Sequence, residues 1–198
     1  MYEPPQEILE KYAKVMIHCG VNDGKGINKG DVIQLAVPEC AKPFLIELYK
    51  EVLKAGAHPV IRFLPDNMSR LVYEYGNEDH LDFFPEKMVK GRIDQIDHSL
   101  YVIADVNKHE LKGIDPKKIM RNSKSSKQAK DWLDEKENKG EFSWTLCMYG
   151  TQEMADEANM GLEEYWQEII KACYLEDVDP VASWQASRET NNKARDWL

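Results

Sequence analysis

The chain has 198 residues and a formal net charge of −9, with 26 Lys and Arg against 35 Asp and Glu. That surplus of acid repels phosphate backbones and anionic lipid headgroups at long range, which excludes nucleic acid and a membrane surface as its main partners. With 42% apolar and 31% charged residues it has the make-up of a folded globular domain, large enough for its own core and too short for a multi-module machine.

The start, Met1-Tyr2-Glu3-Pro4-Pro5, has neither the basic opening nor the apolar stretch of a secretory signal, and no apolar run approaches the roughly 20 residues of a membrane helix. A cytoplasmic location is expected. The four cysteines, Cys19, Cys40, Cys147 and Cys173, are scattered without a C-x-x-C pair. They read as reduced, free and mostly buried rather than as a zinc ribbon or a redox pair.

From Gln6 to His18 the residues Ile8, Leu9, Tyr12, Val15 and Met16 fall on one helical face behind Pro4-Pro5, and Gly20 ends the run. The turn-rich loop Val21 to Gly30 leads into a β-branched strand, Asp31 to Val37, closed by Pro38. Phe44, Leu45, Leu48, Tyr49, Val52 and Leu53 then mark a helix over Ala41 to Ala55, with Gly56 as its stop. A second strand, Pro59 to Leu64, completes a βαβ unit with parallel strands.

The alternation continues with longer excursions. Asn67 to Gln95 reads as helix broken at Gly76 and Pro85, followed by a third strand at Ser99 to Val106. Asp115-Pro116 opens a long charged helix to about Asn138, with the Ser- and Lys-rich tract Asn122 to Lys127 as a solvated face. Gly140 stops it before a fourth strand, Phe142 to Met148, and the rest from Thr151 is helical, broken near Gly161 and Asp177 to Pro180. The expected fold is a single α/β domain over residues 1–198, with a mostly parallel sheet of about four strands, helices on both faces and a helical carboxy-terminal extension.

Candidate sites are weak. Gly24, Gly26 and Gly30 suggest a phosphate loop, but a phosphate loop leaves a strand and opens a helix, whereas this one does the reverse. Cys40 lies near a helix start, where a thiol pKa can fall, yet none of His18, His58, His80, His98 and His109 supplies a recognisable base motif. Asp79-His80-Leu81-Asp82 and the Asp94/His98 pair gather metal-ligand types, the latter at a spacing that would share a helix face, without a third ligand. Trp132, Trp144, Trp166, Trp184 and Trp197 read as core rather than a stacking platform, because the basic groove that nucleic acid needs is missing. No catalytic constellation emerges from the residues alone.

Several stretches, in order, resemble one known family. They are Leu9 to Val15, Lys29-Gly30-Asp31-Val32, Glu47 to Val60, Gly113 to Ile119, Gly140-Glu141-Phe142 with Trp144, and Asp179-Pro180-Val181 with Trp184. Together they look like the amino-terminal half of the aminopeptidase T and aminopeptidase S family of thermophilic-type metallo-aminopeptidases. One departure is Tyr149-Gly150-Thr151, where the family tends to show Tyr-Pro-Thr, which puts the local turn in question.

The resemblance implies a two-domain, homodimeric enzyme about twice this length that removes amino-terminal residues from peptides. It also implies two divalent metal ions, zinc or cobalt, held by Glu, His and Asp of the carboxy-terminal half, which activate water for attack on the first peptide carbonyl. All of the family's ligand positions fall beyond Leu198, so no catalytic, cofactor-binding or metal residue is carried onto this chain. The ending Arg195-Asp196-Trp197-Leu198, apolar and uncapped, reads as a domain cut from its catalytic partner. Such a domain is expected to be inactive alone, to wall the active site and to contribute to dimer contacts. The alternative is a stand-alone flavodoxin-like binding or regulatory module, whose ligand crevice would be lined by the loops at Pro38-Glu39-Cys40, Pro65-Asp66-Asn67 and Asp105-Val106-Asn107. A weaker third reading is a small hydrolase built on Cys40.

Overall fold

A computed structural model describes residues 2–197 and has the expected α/β architecture, with four strands that all pair in parallel. In chain order the elements are α1 (Gln6–Cys19), β1 (Val32–Pro38), α2 (Lys42–Lys54) and β2 (His58–Leu64). The short helices α3 (Leu71–Tyr75), α4 (Glu78–Asp82) and α5 (Glu86–Gln95) lead to β3 (His98–Ile103). Helices α6 (Pro116–Ser125) and α7 (Lys127–Asn138) precede β4 (Ser143–Met148), and α8 (Gln152–Glu157), α9 (Leu162–Ala172) and α10 (Pro180–Trp197) complete the chain. Met1 and Leu198 lie outside the described residues, as do the side chains of Ala194 and Asp196.

The strand order is β2-β1-β3-β4. The chain therefore leaves β1 toward one edge and returns to β3 on the other side, placing a topological switch between the carboxyl ends of β1 and β3. Side chains alternate across the sheet, so Ile33, Leu35 and Val37 share a face with Leu100 and Val102, and all five are fully buried. Opposite them stand Leu9, Tyr12 and Met16 of α1 with Phe44, Leu48 and Val52 of α2. Tyr12 stacks on Phe44 with ring centroids 4.8 Å apart, and Trp166 of α9 meets Tyr149 edge-on at 5.0 Å. Each such aliphatic or aromatic side chain contributes about 1.5–3 kcal/mol on burial, so this face carries the main core. The other face, carrying Gln34, Ser99, Tyr101 and Trp144, is covered more loosely by α5 to α7.

The expected long helix is two, because the tract Asn122 to Lys127 is their junction rather than a continuous face. There Ser125 Oγ donates to the Asn122 carbonyl at 2.7 Å and Ser126 Oγ to that of Ser123 at 3.1 Å, local bonds that compete with the helical ladder. The third strand ends at Ile103, since Asp105 to Asn107 turn away from the ladder. Of the five tryptophans only Trp166 is fully buried, and Trp144 is half exposed because β4 is an edge strand. All four cysteines are free as expected, but only Cys147 is buried, the others lying at the margins of helices and loops.

Gly150 does not disturb its turn. A Cβ there would stand 2.9 Å from Trp166 Nε1 and 3.0 Å from Tyr165 Cδ1, so the glycine serves close packing. Trp166 Nε1 donates to the Gly150 carbonyl at 3.1 Å, and Thr151 follows as the cap of α8, accepting from the Met154 backbone and donating to the Asp105 carbonyl.

Candidate functional site

The loops expected to line a ligand crevice do come together. Pro38, the last residue of β1, Pro65-Asp66-Asn67 after β2 and Asp105-Val106-Asn107 after β3 surround an open cavity of about 430 Å³, beside Glu110, whereas Glu39 and Cys40 are not in its lining. Its lining is acidic. Burial, together with neighbouring Glu39, holds the Asp66 carboxyl above its ordinary value, against a hydrogen bond from the Cys40 backbone N–H at 3.2 Å.

Cys40 sits in a 3-10 turn, Glu39–Ala41, at this end of the sheet. Burial and the nearby Asp66 carboxylate push its thiol up to about 11, and Sγ donates to the Ala104 carbonyl at 3.6 Å. The helix start offers no thiolate here, so the Cys40 nucleophile reading has no support.

The other sequence candidates separate. Asp94 lies in α5 while His98 opens β3, so the two share no helix face. His80 closes a capping box with Asn77, and Asp82 pairs with Arg121 at 2.6 Å. The glycine loop runs from a helix into a strand as expected, with Gly24, Gly26 and Gly30 all at positive φ.

A constellation that the sequence did not disclose lies at the opposite, amino end of the strands. Buried His98 places Nε2 3.0 Å from Asp31 Oδ2 and Nδ1 2.9 Å from Ser143 Oγ. An ionised Asp31 accepts from Nε2, and in the neutral ring Nδ1 then accepts from the hydroxyl, the order of a Ser-His-Asp triad with the two ring nitrogens exchanged. Ser143 Oγ, however, already accepts from the Asn22 backbone N–H at 3.0 Å, and Asp31 Oδ2 accepts from Asn28 N at 2.6 Å. The nearest backbone donor is thus engaged by the hydroxyl itself rather than aimed at a developing oxyanion, as acyl transfer requires. The network joins the entry of β1, the first residue of β3 and the first residue of β4. No sequence signal marks it, because each member is an isolated polar residue at a strand start.

Among the described residues no group of three or more His, Cys, Asp or Glu side chains is arranged to hold a metal ion. No helix among them is long and apolar enough to cross a membrane. Over residues 5–198 the chain matches the family described as thermophilic metalloprotease (M29). The chain belongs to this family. It is 25% identical over 185 residues to aminopeptidase AmpS of Bacillus subtilis (strain 168), covering 89% of this chain and 44% of that protein. It is 24% identical over 187 residues to aminopeptidase T of Thermus thermophilus, covering 90% and 45%. Its fold is similar to part of the solved structure of wild-type AmpT from Thermus thermophilus, with a TM-score of 0.73 at 22% identity, covering 93% of this chain and 46% of that one. This M29 chain therefore spans less than half the length of the curated relatives it matches. The M29 family is one of metallopeptidases, and the described residues of this chain do not fit a metal centre.

Proposed function

We propose that this chain is the amino-terminal domain of an M29 metallo-aminopeptidase and acts together with a metal-binding catalytic domain. The observation that carries the reading is a family match over residues 5–198 in a chain that spans less than half the length of the aminopeptidases it matches. In the intact enzyme two divalent ions, zinc or cobalt, would supply the activated water, and this domain would wall the active site and limit entry to peptide amino termini.

The surface supports a partner. Ile46, Tyr49 and Leu53 form an exposed stripe at helical spacing on α2. Ile61 and Phe63 of edge strand β2 are exposed on the face that α2 packs against, since they register with Leu35 and Val37. An apolar patch of this kind rimmed by polar residues marks an interface, and we assign it to the contact between two copies in a homodimer.

The test is release of 4-nitroaniline from leucine 4-nitroanilide by the purified chain with cobalt or zinc added. No metal-dependent turnover is expected, and substantial turnover overturns the reading. A second reading, a small-ligand module using the 430 Å³ crevice at the switch between β1 and β3, rests on the three loops that meet there.

A further inference from the structure

The face of the sheet turned away from the main core stands off its covering helices, leaving an open cavity of about 870 Å³. Arg62 of β2 and Arg92 of α5 both line it, with Tyr101, Ser126, Val89 and Trp144. Arg92 Nε is withdrawn from solvent and has no acceptor. Neither guanidinium makes an ion pair or hydrogen bond among the described residues, in a chain that carries nine more acids than bases. Burial and the neighbouring charge of Arg62 both weaken the hold of Arg92 on its proton.

The acids on this cavity do not answer the pair. Glu137 Oε1 accepts from Trp144 Nε1 at 3.1 Å, and Asp134 forms no ion pair with either arginine, while Lys130 adds another positive charge to the lining. Two like charges held at one cavity, with a buried donor left open, are stabilised by an anion from outside the chain. A guanidinium offers a planar fork of donors that matches carboxylate and phosphate oxygens alike. The apolar walls of Val89, Leu133, Phe142 and Trp144 suit an apolar body, and the volume lies in the range of small-molecule sites.

We propose that this cavity binds a small organic anion, its carboxylate or phosphate held by Arg62 and Arg92 and its apolar body lying between the sheet and helices α5 and α7. The site shares Tyr101 with the acidic crevice at the carboxyl ends of the strands but places both arginines outside it, and its occupation needs neither a metal nor turnover. It therefore stands or falls separately from the aminopeptidase reading.

Isothermal titration of the chain with 3-phenylpropionate, phenyl phosphate and the neutral 3-phenylpropanamide tests it. At least one of the two anions should bind at a single site, about tenfold or more tighter than the amide, and the tighter anion identifies the headgroup. Arg62→Gln and Arg92→Gln should each weaken that binding about tenfold, whereas Lys14→Gln on the outer face of α1 should leave it unchanged. On the unmodified chain the Nε–Hε resonance of Arg92 should shift as anion is added, a readout that does not depend on the variants folding. Equal binding of amide and anions, unchanged affinity in both arginine variants, an unmoved Arg92 resonance, or no binding at about 5 mM of either anion would each overturn the proposal.

Discussion

His98 Nε2 meets Asp31 Oδ2 at 3.0 Å, joining the residue that precedes β1 to the first residue of β3 across the sheet. Burial alone would raise the Asp31 carboxyl, but hydrogen bonds from the Asn28 backbone and from His98 outweigh it and hold the group below its ordinary value. A depressed folded-state value contributes stability that is complete above the unfolded carboxyl value, about 4, and that is lost as pH falls through the folded one. The urea midpoint of the chain should therefore drop below about pH 4. Asp31→Asn should destabilise the protein by about 1 kcal/mol at pH 7 and flatten the acid limb, part of the remainder coming from Glu51, whose carboxyl is also lowered by His18 and Lys54 despite burial, and from Asp82 beside Arg121. Identical acid limbs in the two proteins would remove Asp31 from this role.

Gly150→Ala should destabilise by about 1–3 kcal/mol, because the new methyl meets the ring of fully buried Trp166 and that of Tyr165 with no flexible end to move aside. Thermal unfolding followed by Trp fluorescence measures it. A melting temperature equal to that of the parent would show that the α8–α9 corner can open to accept a side chain.

Cys40 should be a slow nucleophile. With its thiol pushed up to about 11, the thiolate fraction near neutral pH is on the order of 10²-fold below that of an ordinary cysteine. Alkylation by iodoacetamide at pH 7.5, followed at this residue by peptide mass spectrometry, should lag behind free glutathione by a comparable factor. Labelling as fast as glutathione would restore the nucleophile reading.

The dimer assignment is tested at the apolar patch. Leu53→Lys combined with Ile61→Lys places charge on two exposed apolar positions, so the fold should survive while self-association weakens. Sedimentation velocity at micromolar protein should show a dimer for the parent chain and monomer for the double variant. A monomeric parent, or a variant that still dimerises, rules out this patch as the contact.

Much of the architecture was legible in the sequence because its signals are local. Asp31 to Val37 carries the β-branched run of a strand closed by Pro38, Phe44 to Leu53 the helical period, and Gly56, at φ +76, the stop between α2 and β2. Asn122 to Lys127 has enough helix-compatible residues to hide a junction that arises from serine side chains bonding back to their own turn. Residue type alone places Trp144 in the core, whereas the position of β4 at the sheet edge leaves it half exposed; Trp184 does pack against the core.

The sequence by itself determined the alternation of strand and helix and, through short motifs kept in order, the M29 family, because both depend on neighbours a few residues apart. Only the tertiary structure brought Asp31, His98 and Ser143 into one network and turned Arg62 and Arg92 toward one cavity. Those meetings depend on strand order and register, set by packing a whole apolar face at once, and no residue's local pattern encodes which distant polar group will stand opposite it.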